Sequence, residues 1–204
     1  MVSNQPHSYT APAKINLSLN ITGKRDDGYH LLHSITAFST FGDEITLTPA
    51  DNFSFTQESD FIELPSKDDN LIVKTAYKLT EKLGQKLNCH IHLNKKIPIG
   101  AGLGGGSSDA ATTVKALLHF WNKTLNEQEL QDFLLSLGAD VPVCYYAKPC
   151  MFEGIGEIIT PLSNAPELYA TLIYPNQFCS TPEVFQKFGG QFSSPLPENV
   201  WNHL

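Results

Sequence analysis

The stretch that decides the fold is residues 98–111, which read PIGAGLGGGSSDAA. Five of the seven residues from Gly100 to Gly106 are glycine, and an apolar run from Ala110 to Trp121 follows. Glycines before a helix leave backbone N–H groups unobstructed at the positive end of the helix dipole, where phosphate binds well. A tight turn is the alternative interpretation. Because each glycine adds to the entropic cost of folding, the pattern favours a phosphate-binding loop.

Three common phosphate-binding motifs do not account for this loop. Gly100, Gly102 and Gly105 match the dinucleotide fingerprint, but the acidic residue expected about 20 positions later, after a second strand, is missing. A Walker A loop ends in Gly-Lys-Ser/Thr, whereas this one ends in Gly-Ser-Ser. The His-Arg-Asp and Asp-Phe-Gly motifs of protein kinases do not occur in the sequence.

The pattern on either side of the loop predicts an α+β protein. Strands are predicted where β-branched and aromatic residues dominate, at 9–21, 30–41, 44–48, 89–93, 151–152, 158–159 and 169–174, with a turn at residues 42–43. Helices are predicted at 70–84, 110–121 and 126–137. Asp69 or Asn70 would cap the first helix and Gly84 would end it, and Asn126 with Glu129 has the spacing of a capping box.

Composition narrows the class of protein. The chain has 204 residues, 41% of them hydrophobic, and a formal net charge of −7. This acidic balance argues against binding of nucleic acid or anionic membranes. The sequence has no apolar run of about 18 residues and no signal-peptide pattern, so a cytoplasmic location is expected. The four cysteines form no C-x-x-C pair, which favours reduced and mostly buried thiols.

Three segments together resemble the superfamily of galactokinase, homoserine kinase, mevalonate kinase and phosphomevalonate kinase (GHMP kinases). They are residues 12–17 (PAKINL), 98–108 and 137–142 (LGADVP). Within that superfamily, three further segments resemble the 4-diphosphocytidyl-2-C-methyl-D-erythritol kinase family, namely 23–30 (GKRDDGYH), 69–72 (DNLI) and 152–157 (FEGIGE).

The resemblance implies a GHMP-kinase fold whose N-terminal part is like the second domain of ribosomal protein S5. An ATP-binding N-terminal domain is expected over residues 1–153, and residues 154–204 would begin an incomplete C-terminal α+β domain. The family's third Gly/Ser-rich motif is not found in the sequence. The chain is therefore expected to be either a fragment or a shortened protein.

The activity implied is ATP-dependent phosphorylation of the 2-hydroxyl of 4-diphosphocytidyl-2-C-methyl-D-erythritol, in the non-mevalonate route to isoprenoid precursors. By resemblance, Asp140 is the catalytic base and Lys14 its cationic partner. On residue chemistry alone, Asp140 as a turn residue and Lys14 as a surface charge remain the alternative. Asn16 lies two residues after Lys14, so both side chains are expected on one face of a strand, and the resemblance makes Asn16 a substrate contact.

The same resemblance implies the other binding residues. Tyr29, His30 and Phe185 would surround the cytosine, and Thr181 would lie near the erythritol. The ATP site would comprise Asn70, Lys96, Pro98, Gly100, Gly102, Leu103, Gly104, Gly105, Gly106, Ser107 and Ser108. Lys95 would lie on the adenosine side of this site. The alternative for Lys95 and Lys96 is that both are ordinary exposed lysines. Mg²⁺ is expected with ATP, with Ser108 as its candidate ligand.

Two other functions stay open on the sequence. One is a different small-molecule GHMP kinase, of the homoserine or mevalonate kinase type. The other is a non-catalytic nucleotide-binding remnant. His90 and His92 share a strand face, but without a third ligand at fitting spacing they are interpreted as polar strand residues, not as a metal site.

Overall fold

The computed structural model describes residues 5–59, 64, 66–175, 177 and 179–196. The strands are β1 (His7–Lys24), β2 (His30–Pro49), β3 (Ser54–Glu58), β4 (Cys89–Asn94), β5 (Cys150–Gly154) and β6 (Ile158–Pro161). The helices are α1 (Leu71–Leu83), α2 (Gly105–Trp121), α3 (Glu127–Leu137), α4 (Val141–Tyr146) and α5 (Thr181–Gln186), and a 3-10 turn covers Lys67–Asp69.

One mixed sheet carries the fold, and the long strand β2 organises it. β1 pairs with β2 along nearly all of its length, in antiparallel orientation. On its other edge β2 pairs with β5 through residues 32–36 and with β4 through residues 44–49. β3 adds to β4 in parallel, and β6 adds to β5 in antiparallel orientation. Irregularities in the β1–β2 register on both sides of Lys14 locally re-aim the side chains of β1.

The helices bury their apolar faces against this sheet. In β4 the burial alternates, so that Cys89, Ile91 and Leu93 are in the core. The other face of β4 is polar, where His90 hydrogen-bonds Ser54 and Thr56. The two strand histidines are thus part of a hydrogen-bonded surface, since His92 likewise contacts Thr56. In α2, nearly every residue from Ser108 to Leu118 is buried, which makes it the central helix.

Local sequence signals correctly predicted several helix ends. The side chain of Asn70 accepts a hydrogen bond from the Ile72 backbone N–H, and Gly84 ends α1 in the left-handed conformation. Asn126 and Glu129 form the reciprocal capping box at the start of α3. Such signals succeed because donor and acceptor lie within four residues of each other.

Other expectations were wrong. No turn interrupts β2 at residues 42–43, because Gly42 packs against the Ala11 backbone, where any side chain would collide. Helix α2 begins at Gly105 and not at Ala110. Residues 169–174 form no strand, and α4 and α5 were not predicted.

The structure also bears on the predicted state of the cysteines and on the predicted domain boundary. Cys89, Cys144 and Cys150 are buried free thiols, as predicted, and Cys179 is exposed. The predicted domain boundary between residues 153 and 154 falls inside β5, which pairs with β2, and the division stays a prediction. Within the described residues, no helix has both the length and the apolar character needed to cross a bilayer.

Candidate active site

A cavity of about 730 Å³ opens between the stretch of β1 from Lys14 to Ile21, the glycine loop and the segment around α5. Its wall includes most of the residues singled out in the sequence, namely Lys14, Asn16, Asn70, Pro98, Gly100, Gly102, Leu103, Gly104, Gly105, Gly106, Ser107, Asp140, Thr181 and Phe185. Tyr29, His30, Lys96 and Ser108 are not part of this wall. The fold thus brings residues from distant parts of the sequence around one space.

Lys14 and Asp140 form an ion pair inside this cavity. The Nζ atom of Lys14 lies 3.3 Å from Oδ2 of Asp140, and the Lys14 side chain is only 3% exposed. Lys14 also donates to Oδ1 of Asn16 at 3.2 Å, as expected for two side chains on one strand face. Its Nζ lies 5.3 Å from the ring centroid of Phe152, a cation–π distance. Lys14 is therefore a buried, oriented ammonium and not a surface charge.

Asp140 is presented by the connection between α3 and α4. It occupies the N-cap position of α4 but makes no side-chain capping bond. Its backbone is helical, with φ −81° and ψ −9°, and Pro142 follows in the first turn, where its missing N–H costs nothing. The carboxylate is 37% exposed, so one side contacts Lys14 while the other faces the cavity.

The glycine loop has the backbone conformation that its composition predicts. Gly100, Gly102 and Gly104 all have positive φ, between 64° and 73°. Helix α2 then begins at Gly105 with no side-chain cap, so its first N–H groups remain available to a ligand. A Cβ atom at Gly102 or Gly106 would meet nothing within 4 Å, so these glycines face open space. The loop therefore fits a bound polyphosphate.

Lys95 belongs to a buried charged cluster with Asp43 and Asp109, which the sequence did not reveal. Its Nζ lies 2.5 Å from Oδ2 of Asp43 and 2.7 Å from Oδ2 of Asp109. The other oxygen of Asp43 accepts the backbone N–H groups of Lys96 and Ile97 at 2.6 and 2.8 Å. Asp43 thus has three donors, whereas Oδ1 of Asp109 is buried and has no hydrogen-bond partner among the described residues.

This charged cluster packs against the glycine loop at Gly105. A Cβ atom at Gly105 would lie 3.0 Å from Nζ of Lys95. Burial raises the pKa of Asp109 to about 7, against the opposing attraction of Lys95. Burial alone lowers the pKa of Lys95, but attraction by Asp109 and Asp43 outweighs it, and the net shift is upward. Lys95 is therefore a buried cation that also lines the cavity, contrary to the alternative of an exposed lysine, and its place beside the adenosine stays a prediction.

The residues expected on the adenosine side divide into two groups. Asn70 and Pro98 line the cavity, and the Asn70 amide also donates to Gln57 at 2.9 Å. Lys96 instead lies beside a neighbouring, smaller cavity and pairs with Glu44 at 3.2 Å. Adjacent residues on an extended segment point in opposite directions, so Lys95 faces inward and Lys96 outward.

Ser108, the predicted metal ligand, is not part of the cavity wall. Its residue is fully buried, and its Oγ has no hydrogen-bond partner within the described structure. Ser108 lies in the first turn of α2 on the side facing the core, whereas Ser107 faces the cavity. The start of α2 at Gly105 determines the direction of each hydroxyl group, and the metal-binding role of Ser108 stays a prediction.

An aromatic cluster borders the far end of the cavity. The rings of His30 and Phe185 are stacked, with centroids 5.3 Å apart and an interplanar angle of 25°. Phe188, which sequence reasoning missed, contacts His30 edge-on at 5.8 Å. Tyr29 is 55% exposed and lies outside the cavity wall. Three of the four rings therefore already form a surface on which a flat ring can stack.

Comparisons with known proteins identify the family. Residues 70–148 match the model of the GHMP kinases N terminal domain. The chain is 38% identical over 190 residues to the 4-diphosphocytidyl-2-C-methyl-D-erythritol kinase of Paramagnetospirillum magneticum. The aligned residues cover 93% of this chain and 67% of that protein. The chain belongs to the 4-diphosphocytidyl-2-C-methyl-D-erythritol kinase family.

Further members of the 4-diphosphocytidyl-2-C-methyl-D-erythritol kinase family agree with this assignment. The Pseudomonas entomophila enzyme is 44% identical over 86% of this chain and 60% of its own length. The chain spans about two thirds of the length of the curated relatives it matches. A crystal structure of 4-(cytidine 5'-diphospho)-2C-methyl-D-erythritol kinase superposes with a TM-score of 0.78 at 32% identity, covering 97% of this chain and 71% of that one.

The GHMP-kinase fold expected from the motifs is also confirmed by more distant structures. Homoserine kinase from Cytophaga hutchinsonii has a TM-score of 0.56 at 20% identity, over 74% of this chain and 49% of its own. At that identity the likeness concerns the fold alone. The similarity that identifies the family is the one to the 4-diphosphocytidyl-2-C-methyl-D-erythritol kinases themselves.

Proposed function

We propose that the protein transfers the γ-phosphoryl group of ATP to the 2-hydroxyl of 4-diphosphocytidyl-2-C-methyl-D-erythritol. The observation that carries this proposal is the Lys14–Asp140 ion pair, at 3.3 Å, in the same cavity as the glycine loop. Family membership supports the choice of reaction, since the relatives carry the name of this kinase. As part of the proposal, residues 1–153 are the ATP-binding domain and residues 154–204 begin the second domain.

ATP is assigned to the glycine loop. Its phosphates would accept hydrogen bonds from the free N–H groups at the start of α2, with the helix dipole adding to the attraction. Gly100, Gly102, Leu103, Gly104, Gly105, Gly106 and Ser107 are the loop residues proposed to hold them. Asn70 and Pro98, on the same cavity wall, would contact the adenosine.

Asp140 is proposed to accept the proton of the attacking hydroxyl. Phosphoryl transfer requires mainly positioning and positive charge, together with a carboxylate within hydrogen-bonding distance of the nucleophile. Lys14 holds its ammonium 3.3 Å from the Asp140 carboxylate, where it would lie beside the transferred group. Asn16, which accepts from Lys14, completes this polar corner and would contact the substrate.

The aromatic end of the cavity is proposed to bind the cytosine. Phe185 offers a ring face, His30 lies stacked on it, and Tyr29 is free at the surface to close over a base. Thr181, at the start of α5, lies on the wall of the same cavity and is proposed to contact the erythritol hydroxyls. The proposed small-molecule partner is thus a polyol linked to a nucleotide, with its base at the aromatic end of the cavity and its polyol at the Lys14–Asp140 ion pair.

Mg²⁺ is proposed only as a companion of ATP. The described residues hold no group of three or more His, Cys, Asp or Glu side chains that could bind a metal ion. Because the hydroxyl of Ser108 is buried, we assign no step of the reaction to a metal ligand in this chain.

Both ATP and the substrate are charged metabolites, and the reaction is proposed to occur in the cytoplasm.

The test is an assay of ADP release with several acceptors at equal concentration. We expect turnover with 4-diphosphocytidyl-2-C-methyl-D-erythritol and none with homoserine, mevalonate or methylerythritol lacking the cytidine diphosphate. Equal turnover without the cytidine part would contradict the assigned substrate and favour another GHMP kinase. Calorimetric binding of ATP without turnover on any acceptor would support a non-catalytic nucleotide-binding protein instead.

A further inference from the structure

The turn between β5 and β6, residues 154–157, lies directly against the segment that carries Asp140. A Cβ atom at Gly156 would lie 2.4 Å from the carbonyl oxygen of Ala139 and 3.2 Å from its carbon. That carbonyl belongs to the peptide bond joining Ala139 to Asp140. The backbone of Gly156 is therefore packed on the peptide group that sets the position of Asp140.

Two contacts hold this turn in place. The carboxylate of Glu157 folds back and accepts the backbone N–H of Ile155 at 2.6 Å. A Cβ atom at Gly154 would lie within 2.6 Å of that carboxylate, so the Glu157 side chain packs directly on the backbone of the turn. From the other side, Gln131 of α3 donates to the Glu157 carbonyl at 2.9 Å. The turn is thus fixed to the helix that precedes Asp140.

The same hairpin also contacts the partner of Asp140. Phe152, in β5, is fully buried and its ring centroid lies 5.3 Å from Nζ of Lys14. Phe152 thereby restrains Lys14, and Gly156 restrains the backbone of Asp140. The β5–β6 hairpin therefore contacts Lys14 through Phe152 and the peptide bond preceding Asp140 through Gly156.

We propose that Gly156 is a positioning residue that sets the distance between Asp140 and Lys14 through its contact with the Ala139–Asp140 peptide. The proposal rests on the function proposed above for Asp140. Gly156 has φ +123°, a conformation that favours glycine, and any side chain there must displace the Ala139 carbonyl. We expect displacement of that carbonyl to change the position of Asp140 relative to Lys14.

The experiment compares Gly156→Ala with Gly84→Ala. Gly84 also has positive φ, +60°, but a Cβ atom there meets nothing within 4 Å and lies at the end of α1. We expect Gly156→Ala to lower kcat at least about tenfold with an unchanged Kd for ATP, measured well below its Tm. Gly84→Ala should lose only thermal stability. A kcat for Gly156→Ala equal to that of Gly84→Ala would overturn the proposal.

A double-mutant cycle separates this proposal from the proposed function. If Gly156 acts through Asp140, then adding Gly156→Ala to Asp140→Asn lowers kcat no further, because coupled residues are not additive. An unimpaired Asp140→Asn variant refutes the proposed function, whereas an additive loss refutes the positioning role. A crystal structure of Gly156→Ala gives a readout independent of activity. The Lys14–Asp140 distance should exceed the 3.3 Å of the parent, and an unchanged distance would refute the proposal.

Discussion

Gly104 and Lys14 are in direct contact, and this contact joins the phosphate loop to the ion pair. A Cβ atom at Gly104 would lie 3.1 Å from Cβ and 3.2 Å from Cε of Lys14. One residue earlier, the carbonyl of Leu103 accepts the Lys14 backbone N–H at 2.8 Å. Backbone and side-chain contacts therefore fix the glycine loop in position against β1.

Substituting the loop glycines should separate their two roles. Gly104→Ala adds a clash with Lys14 at a residue with φ +64°, where an L side chain costs about 1–2 kcal/mol. We expect it to lower both Tm and kcat. Gly106→Ala enters open space and improves helix propensity, so Tm should hold while KM for ATP rises about tenfold or more. Thermal melts and ATP titrations measure both, and an unchanged KM for Gly106→Ala would contradict the phosphate assignment.

Lys14 should tolerate no replacement, even one that keeps its charge. Its side chain is confined between Gly104 and Phe152, so the larger guanidinium of Lys14→Arg lacks room beside Asp140. We expect both Lys14→Arg and Lys14→Met to lower kcat about 100-fold or more, since each removes the placed ammonium. Lys82→Met, on the surface of α1, is the matched control. Near-parent activity of Lys14→Arg would mean that charge alone suffices.

Phe185 should contribute to binding of the nucleotide part of the substrate. Stacking of a base on an aromatic ring is worth about 1–3 kcal/mol. We therefore expect Phe185→Ala to raise KM for the cytidine substrate about 5- to 150-fold without changing KM for ATP. Tyr169→Ala is the control, because Tyr169 is 90% exposed. An equal rise in both KM values would indicate a general loss of structure instead of lost stacking.

The Asp43–Lys95–Asp109 cluster should make stability depend on pH. The pKa of Asp109 is raised by burial from 3.8 to about 7, so the folded protein keeps a proton that the unfolded chain has lost. The free energy of unfolding should therefore fall as pH rises from about 4 to about 7. Asp109→Asn should remove this part of the slope, and exposed Asp132→Asn should leave it. Urea denaturation across that range measures both, and identical slopes for the two variants would contradict the cluster's role.

Removing Lys95 should destabilise the protein strongly. Lys95→Met leaves Asp43 and Asp109 buried without their shared cation, and such broken buried pairs cost about 3–5 kcal/mol. We expect the loss to be smaller at low pH, where Asp109 is protonated. Lys96→Met is the matched control, since the Lys96 side chain is 38% exposed and its described ion pair is with the partly exposed Glu44. Equal melting temperatures for the two variants would rule out the structural role of Lys95.

The sequence predicted those features that depend on neighbouring residues. The glycine loop, the Asn70 cap and the Asn126–Glu129 capping box each have all their signals within a few positions. The pairing of Lys14 with Asp140 was predicted only from resemblance to a family. No local sequence pattern relates a residue of β1 to one at the start of α4. The structure places those two residues in contact.

The features that escaped prediction depend on distant partners. A Gly-Asp pair usually marks a turn, yet Asp43 stays within β2 because Lys95 and two backbone N–H groups satisfy its carboxylate. Which of two adjacent serines faces the cavity depends on where α2 begins, and the glycine-rich sequence hid that point. Helix α4 is only six residues long, too short for a periodic pattern to be recognised.

The most direct test is single-turnover phosphoryl transfer by Asp140→Asn with ATP and 4-diphosphocytidyl-2-C-methyl-D-erythritol. Loss of a general base costs about 10²- to 10⁴-fold in rate, so we expect a fall of that size with the Kd for ATP unchanged within about twofold. Asp132→Asn should react like the parent protein. A transfer rate for Asp140→Asn within about threefold of the parent would show that Asp140 is not the base.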